Sequence, residues 1–357
     1  MTSERNNENA GLSPLTLRGR DERVVVDFPL ALAPMAGVSD RPFRNLCHEQ
    51  GAGLVFNEML GSKPGLRDTR KSALRRIHPD DPAPRAVQLL GNEPEDLARA
   101  AREAYADGAQ IIDINLGCPA KKVCRKAAGS ALMAEPDTVA RLLEATVEAV
   151  PCPVTLKMRT GPDESRRNAP EIARIAAEAG IAMLSVHGRT RAQKYEGKAE
   201  YDTIAEVVTA TSLPVLANGD IDSLERARDV LARTGAAGLM IGRPAFGRPW
   251  LFARLRAGLE GRPLPQEPFA DEIMTFVRRQ FEAIYAHYGE TTGVRIARKH
   301  WGWYSSALPL EEGTRKQFNR LETSLSQRDW LEQRTAELAD ASHCPAPAAR
   351  TDRPASS

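Results

Sequence analysis

The chain has 357 residues, 42% of them hydrophobic and 27% charged, with a formal net charge of +2. That length accommodates a large α/β domain and a small second one, and the near-neutral balance excludes bulk basicity as a route to nucleic acid, leaving only local patches. No apolar run reaches the ~18 residues of a membrane span, and five cysteines without a CxxC pair argue against a disulfide framework or a structural zinc site.

Residues 1–23 are polar, rich in Asn, Arg and Glu and without a secretory signal, and are expected to be disordered. Beyond them short apolar runs alternate with helix-like segments. The runs are Leu30–Gly37, Leu54–Met59, Arg85–Gly91, Gln110–Gly117, Pro153–Arg159, Met183–Arg189, Pro214–Asp220 and Gly238–Arg243. Several are apolar over consecutive residues, the pattern of strands covered on both faces. Pro94–Ala106 and Pro136–Val150 carry Pro in the first helical turn, and Asp222-Ser-Leu-Glu225 has the form of a capping box with Asp at the cap. Eight strands in alternation over residues 24–260 fit a (β/α)8 TIM barrel better than a doubly wound sheet. After Gly261-Arg-Pro-Leu-Pro265 the strand pattern stops. Ile273, Phe276, Val277, Phe281, Ile284 and Tyr288 recur at helical spacing, and helices are expected to about Asp340, giving a small C-terminal helical domain over residues 261–340. Residues 341–357, rich in Pro, Ala and Ser, are expected to form a disordered tail.

In a barrel the residues that close the strands converge on one mouth, where chemistry is done. The run Asp113-Ile-Asn-Leu-Gly-Cys-Pro119 presents Asn115 and Cys118 at the end of the fourth strand. Its thiol can serve as nucleophile, metal ligand or proton donor. Other strands close on Gln88, on Lys157 and Arg159, on His187 and Arg189, on Asn218-Gly-Asp220 and on Gly242-Arg243. Seven of the eight ends carry hydrogen-bonding groups once the compact Ala33-Pro-Met-Ala-Gly37 turn is included, and that turn leaves room for a flat ring. Loops after the seventh and eighth strands are the recurrent phosphate site of barrels, and Arg243 adds charge-assisted hydrogen bonds. A phosphate held there lays a cofactor across the mouth toward Lys157, whose charge suits the N1/C2 side of a reduced flavin. Gln88 offers a ring edge both a donor and an acceptor. No GxGxxG follows the first strand, so a Rossmann-type nicotinamide site is not indicated.

Six segments taken in order carry a resemblance. Ala33-Pro-Met-Ala-Gly-Val-Ser-Asp-Arg-Pro-Phe-Arg44, Ile114-Asn-Leu-Gly-Cys-Pro-Ala-Lys-Lys-Val123, Lys157-Met-Arg-Thr-Gly161, Val186-His-Gly-Arg-Thr-Arg191, Asn218-Gly-Asp220 and Ile241-Gly-Arg243 resemble the tRNA-dihydrouridine synthase family. The Ala-Lys-Lys-Val form of the cysteine loop is most similar to the bacterial B-type branch, and the resemblance spans roughly residues 25–335. It implies an FMN-binding barrel with a helical tRNA-binding domain, reducing the C5–C6 double bond of particular uridines with NADPH as reductant. Carried over by position, it implies that Pro34, Met35, Ala36, Gln88, Lys157 and His187 hold the flavin, and that Asn218, Gly219, Asp220, Gly242 and Arg243 secure its phosphate. Cys118 matches the proton donor to C5, while Asn115, Arg159 and Tyr195 match the uracil site. Cys124 stands where relatives often have asparagine.

A uracil inside folded tRNA must be extruded at a cost of a few kcal/mol, which contacts elsewhere on the RNA must offset. Between Thr291 and Arg320 six Lys/Arg face two acids, with Arg295, Arg298 and Lys299 on one helical face. Trp301, Trp303 and Tyr304 follow, as base-stacking or core residues. Lys121, Lys122, Arg125 and Lys126 add charge beside Cys118. A cytoplasmic monomer acting on tRNA, with no membrane or DNA partner and no metal, is expected. The rivals are an FMN barrel reducing a free pyrimidine, a non-catalytic tRNA-binding protein, and a flavin-free phosphate-binding lyase.

Overall fold

The computed structural model describes residues 11–65, 69–120 and 128–341. Part of the segment expected to be disordered is a hairpin. β1 (Leu15–Arg18) pairs antiparallel with β2 (Arg23–Val26), Leu15 opposite Val26 and Arg18 opposite Arg23. Alternation explains it: Leu17 and Val26 turn inward and are buried, while Thr16 and Val25 face out. Leu17 and Val26 join an apolar cluster with Ala31, Leu54, Ala86, Ile111, Met183 and Leu216, which lie at or near the starts of the barrel strands. The hairpin therefore stoppers the end of the barrel where the strands begin.

The barrel strands are β3 (Leu30–Leu32), β4 (Leu54–Phe56), β6 (Arg85–Leu90), β7 (Ile111–Leu116), β8 (Val154–Arg159), β9 (Met183–His187), β10 (Val215–Asn218) and β11 (Gly238–Ile241). Among the described residues these eight are parallel in the order β4-β3-β11-β10-β9-β8-β7-β6, and a β4–β6 pairing closes the ring. The two-residue β5 (Leu60–Gly61) adds to the end of β6. Each expected run contains its strand, so the TIM barrel is confirmed. The first strand is three residues long because Pro34 removes a ladder donor and Met35 turns back on Ser39.

Helices α1 (Arg41–Glu49), α2 (Arg70–Ala73), α3 (Pro94–Ala106), α4 (Pro136–Ala149), α5 (Ala169–Glu178), α6 (Asp202–Ala210), α7 (Leu224–Thr234) and α8 (Leu251–Leu259) follow the strands in turn. In α3, Ala98, Ala100, Ala101 and Ala104 are buried, and small side chains let the helix approach the sheet closely. The expected cap of α7 shifts by one residue: Ser223, not Asp222, accepts the Arg226 N–H at 3.2 Å.

Beyond the barrel, α9 (Ala270–Tyr288), α10 (Glu290–Tyr304), α11 (Thr314–Arg320) and α12 (Ser324–Ala341) bury an apolar cluster of their own. Ile273, Val277, Phe281 and Ile284 meet Trp301, Tyr304 and Phe318 there. Two joints fasten these helices to the β3–α1 turn. Tyr288 Oη donates to Asp40 at 3.1 Å, and Lys299 Nζ donates to the Gly37 carbonyl.

If the hairpin completes the barrel core, Leu17→Ala is expected to cost about 2–5 kcal/mol of stability. Chemical denaturation measures it, and an unchanged midpoint would show the stopper to be idle.

Candidate functional site

Parallel register brings the strand closers side by side at the mouth. Asn115 lies opposite Lys157, Arg159 opposite His187, and His187 opposite Asn218. Lys157 is 8% exposed and Arg159 1%, so charged groups are held within the fold. Lys157 Nζ donates to Asn218 Oδ1 at 3.3 Å, and Asn218 Nδ2 donates to the Met240 carbonyl at 2.7 Å. The Pro34–Gly37 turn is half-buried to exposed, and a Cβ on Gly242 would lie 3.8 Å from Met35 Sδ, so the first and eighth strand ends adjoin.

The cysteine loop is fixed by a short ladder of amides. Asn115 Oδ1 accepts the backbone N–H groups of Gly117 (3.0 Å) and Cys118 (2.9 Å). Ser130 Oγ donates to the Cys118 carbonyl at 2.8 Å and clamps the far side of the loop. Cys118 itself is partly exposed. Gln88 accepts from Asn115 Nδ2 at 2.7 Å and donates to Asp113 at 2.7 Å.

Electrostatics distinguish the mouth from an ordinary turn cluster. Burial, and then the nearby Arg159 charge, pull the Lys157 ammonium down to about 8. Burial also holds His187 well below its usual value, helped by the charges of Arg159, Lys157, Arg189 and Arg243. The imidazole is therefore neutral, and because Arg189 can only donate to its Nε2 (3.3 Å), the ring proton sits on Nδ1. Burial raises the Asp113 carboxyl to about 6, against hydrogen bonds from Thr155 and Gln88 and the Lys157 charge.

The expected phosphate loops have the required backbone. β10 ends at Asn218 and β11 at Ile241, so the N–H groups of Gly219, Asp220, Gly242 and Arg243 lie beyond the ladder. Gly219 has φ +129°, and a Cβ there would stand 2.7 Å from Ala199 Cβ, so glycine is required. The Asp220 carboxylate points to two arginines. It takes Arg189 Nη2 at 2.6 Å, Arg189 Nη1 at 3.0 Å and Arg243 Nη2 at 3.2 Å, bonds that keep it ionised against the effect of burial. Over the rim, the exposed Tyr195 ring lies 5.4 Å from the Arg159 guanidinium carbon and 5.3 Å from that of Arg243.

Several expected contacts are redirected. Arg159 spends Nε on the Gly117 carbonyl (2.7 Å) and Nη1 on those of Thr190 (2.9 Å) and Lys194 (2.7 Å), so it braces the mouth as much as it faces it. Arg298 turns its Nη2 to the Leu321 carbonyl at 2.7 Å and ties helices together, and Lys299 meets Gly37. Arg295 stays exposed. Trp301 and Tyr304 are fully buried and Trp303 stacks on Phe246 at 4.4 Å, so Trp301 and Tyr304 are core residues rather than stacking platforms. Lys121, Lys122, Cys124, Arg125 and Lys126 lie outside the described residues. Directly after β4, Asn57 and Glu58 are buried, two strand closers absent from the sequence expectation. Asn57 Oδ1 accepts the Gln88 N–H at 2.7 Å, and Glu58 Oε1 accepts Gly37 N–H at 2.5 Å and Arg75 Nη2 at 2.7 Å. The Phe-Asn-Glu sequence closing that run was the available signal.

The family model for dihydrouridine synthase (Dus) matches residues 31–340. A relative named tRNA-dihydrouridine synthase B from Pseudomonas syringae pv. tomato is 54% identical over 299 residues, 84% of this chain and 88% of the relative. One of the same name from Vibrio vulnificus is 49% identical over 304 residues, 85% and 94% of the two chains. Among solved structures, a morphinone reductase with tetrahydroNAD aligns at TM-score 0.50 and 17% identity over 73% of this chain and 93% of its own. A 2-naphthoyl-CoA reductase aligns at TM-score 0.53 and 12% identity over 72% and 53%. These two likenesses concern the fold alone.

Because the folded Lys157 titrates near 8 and an unfolded lysine near 10.5, the folded state binds fewer protons between those values. Stability from this group therefore rises as pH climbs from about 8 to about 10.5. In flavin-free protein, wild type should gain on Lys157→Met across that window by denaturant titration. A flat difference would mean that the ammonium is not desolvated.

Proposed function

Given that this chain belongs to the dihydrouridine synthase family, we propose that it reduces the C5–C6 double bond of uridines in tRNA to 5,6-dihydrouridine. The cofactor in this reading is FMN and the reductant NADPH. One observation supports it above all: the Cys118 loop is locked by Asn115 beside a buried, partly desolvated Lys157.

The residues present suit a flavin mononucleotide. Lys157, Arg159, Arg189 and Arg243 crowd positive charge round a neutral His187, an environment that favours an anionic ring and a phosphate. Gly219 and Gly242 let backbone approach closely at the loops where the phosphate is held, and Arg243, aimed by Asp220, supplies its charge. The Pro34–Ala36 turn supplies a low bed for the ring, and Lys157, Gln88 and His187 its polar neighbours.

When bound, the flavin supplies hydride to C6 of the uracil. Negative charge then spreads over C5 and O4, and Cys118 delivers its proton to C5. A thiol, with a reference pKa of about 8.5, is largely protonated at neutral pH yet a competent acid. The thiolate left behind is stabilised by Lys157 and Arg159, each of which is attracted to the Cys118 sulfur. Asn115 holds the donor in place, and Tyr195 with Arg159 forms the rim against which the extruded base rests. Arg295, Arg315, Lys316 and Arg320 are exposed on the helices and meet phosphates of the tRNA.

Cys118→Ala should leave the yellow flavin spectrum intact and slow dihydrouridine formation on unmodified tRNA by roughly 10²- to 10⁴-fold, the usual contribution of a general acid. Turnover of free uracil or dihydroorotate with none on tRNA would replace this reading with that of a free-pyrimidine enzyme. A colourless protein would end both.

A further inference from the structure

We propose that Asp113 is a positioning residue that anchors, through Gln88 and Asn115, the hydrogen-bond chain holding the Cys118 loop. The proposal rests on the reading of Cys118 as proton donor. Asp113 lies in the middle of β7 and is 1% exposed. Its Oδ1 accepts from Thr155 Oγ1 at 2.7 Å and its Oδ2 from Gln88 Nε2 at 2.7 Å. Gln88 Oε1 then accepts from Asn115 Nδ2, and Asn115 Oδ1 from the Gly117 and Cys118 N–H groups.

Each link runs the same way, and the two ends make it so. An amide side chain can rotate by half a turn and exchange its donor and acceptor, so Gln88 and Asn115 have no direction of their own. The ends cannot reverse. A carboxylate only accepts, and a backbone N–H only donates. With Asp113 in place, the one arrangement that satisfies both amides points Asn115 Oδ1 at the cysteine loop. Without it, Gln88 Nε2 has no acceptor, and a Gln88 that rotates sets its NH2 against that of Asn115. Asn115 is then held by the Gly117 and Cys118 N–H groups alone, and the loop loses its tie to the barrel interior.

The placement has a cost that packing alone does not explain. A carboxylate inside a parallel strand is desolvated, whereas leucine there adds burial without penalty. What Asp113 contributes is a fixed acceptor for Gln88, an anchor in the barrel interior for a loop at the rim.

The test compares Asp113→Leu and Asp113→Asn in flavin-loaded enzyme reduced with dithionite, so that no nicotinamide is needed. In Asp113→Asn the new amide keeps an oxygen for Gln88 and offers its NH2 to the Thr155 hydroxyl, so the anchor survives loss of charge. Single-turnover oxidation of the reduced enzyme by tRNA should fall about 10- to 100-fold in Asp113→Leu, as for a misplaced reacting group. The half-saturating tRNA concentration should hold, and Asp113→Asn should recover most of the rate. Iodoacetamide alkylation of Cys118, followed on its peptide by mass spectrometry, should change rate in the Leu variant and not in the Asn variant. Should Asp113→Leu fail to fold, Asp113→Ala makes the same comparison, because a water admitted there is not a covalently fixed acceptor. Wild-type rates in the Leu or Ala variant, or an Asn variant as impaired as Leu, overturn the proposal. If wild type reduces no tRNA uridine, the functional reading falls, and the alkylation comparison still judges the relay.

Discussion

Positive charge confined within a low-dielectric mouth is the constraint around which this structure is arranged. Lys157, Arg159, Arg189 and Arg243 all act on His187, and Lys157 loses much of its proton affinity to burial and to Arg159. Two carboxylates temper that repulsion from opposite sides. Asp113 acts from within the barrel and Asp220 from the loop after β10, the latter gripping two arginines at once. The remainder is a demand for a negatively charged ligand, and the glycine-bearing loops after β10 and β11 are shaped to let one approach. Charge, backbone and strand register therefore point to the same ligand class, which is what makes the site more than a collection of polar strand ends.

The barrel was legible because its strands are covered on both faces. Every residue of β7 and β8 is buried, so the runs read as apolar except where Asp113, Asn115, Thr155, Lys157 and Arg159 interrupt them, and the interruptions mark the site. Less was legible where a few residues decide. β1 and β2 each bury a single side chain, too little apolar surface to separate a strand from a polar leader. Helical spacing set Arg295, Arg298 and Lys299 on one face correctly, but it says nothing of what that face meets. Arg298 meets a carbonyl at the end of α11 and Lys299 a carbonyl of the barrel. Trp301 and Tyr304 could be read either way from sequence, and three-dimensional packing decided for the core. Ser223 and Asp222 are both good caps, and the choice depends on where the helix axis begins.

The helical region and the barrel have separate apolar clusters, yet polar joints tie them at the β3–α1 turn. Asp40 caps α1 through Phe43 N–H at 3.0 Å and also receives Tyr288, and burial, opposed by that cap, lifts its carboxyl to about 6. Gly37, three residues earlier, donates its N–H to Glu58 and accepts from Lys299 at its carbonyl. The segment proposed to bed the flavin ring is thus held from one side by the second barrel strand and from the other by the helices proposed to meet RNA. Cofactor bed and RNA platform share a foundation, so neither is positioned independently of the other.

The hairpin at the foot of the barrel divides the molecule's labour between its two ends. Leu17 and Val26 pack among the first residues of the strands, and the polar strand closers stand at the opposite rim. On the function proposed above, reductant and base would share that rim and take turns at it. Double-reciprocal plots at several fixed levels of the partner should run parallel, the kinetic mark of alternating visits, and either visitor in excess should obstruct the other.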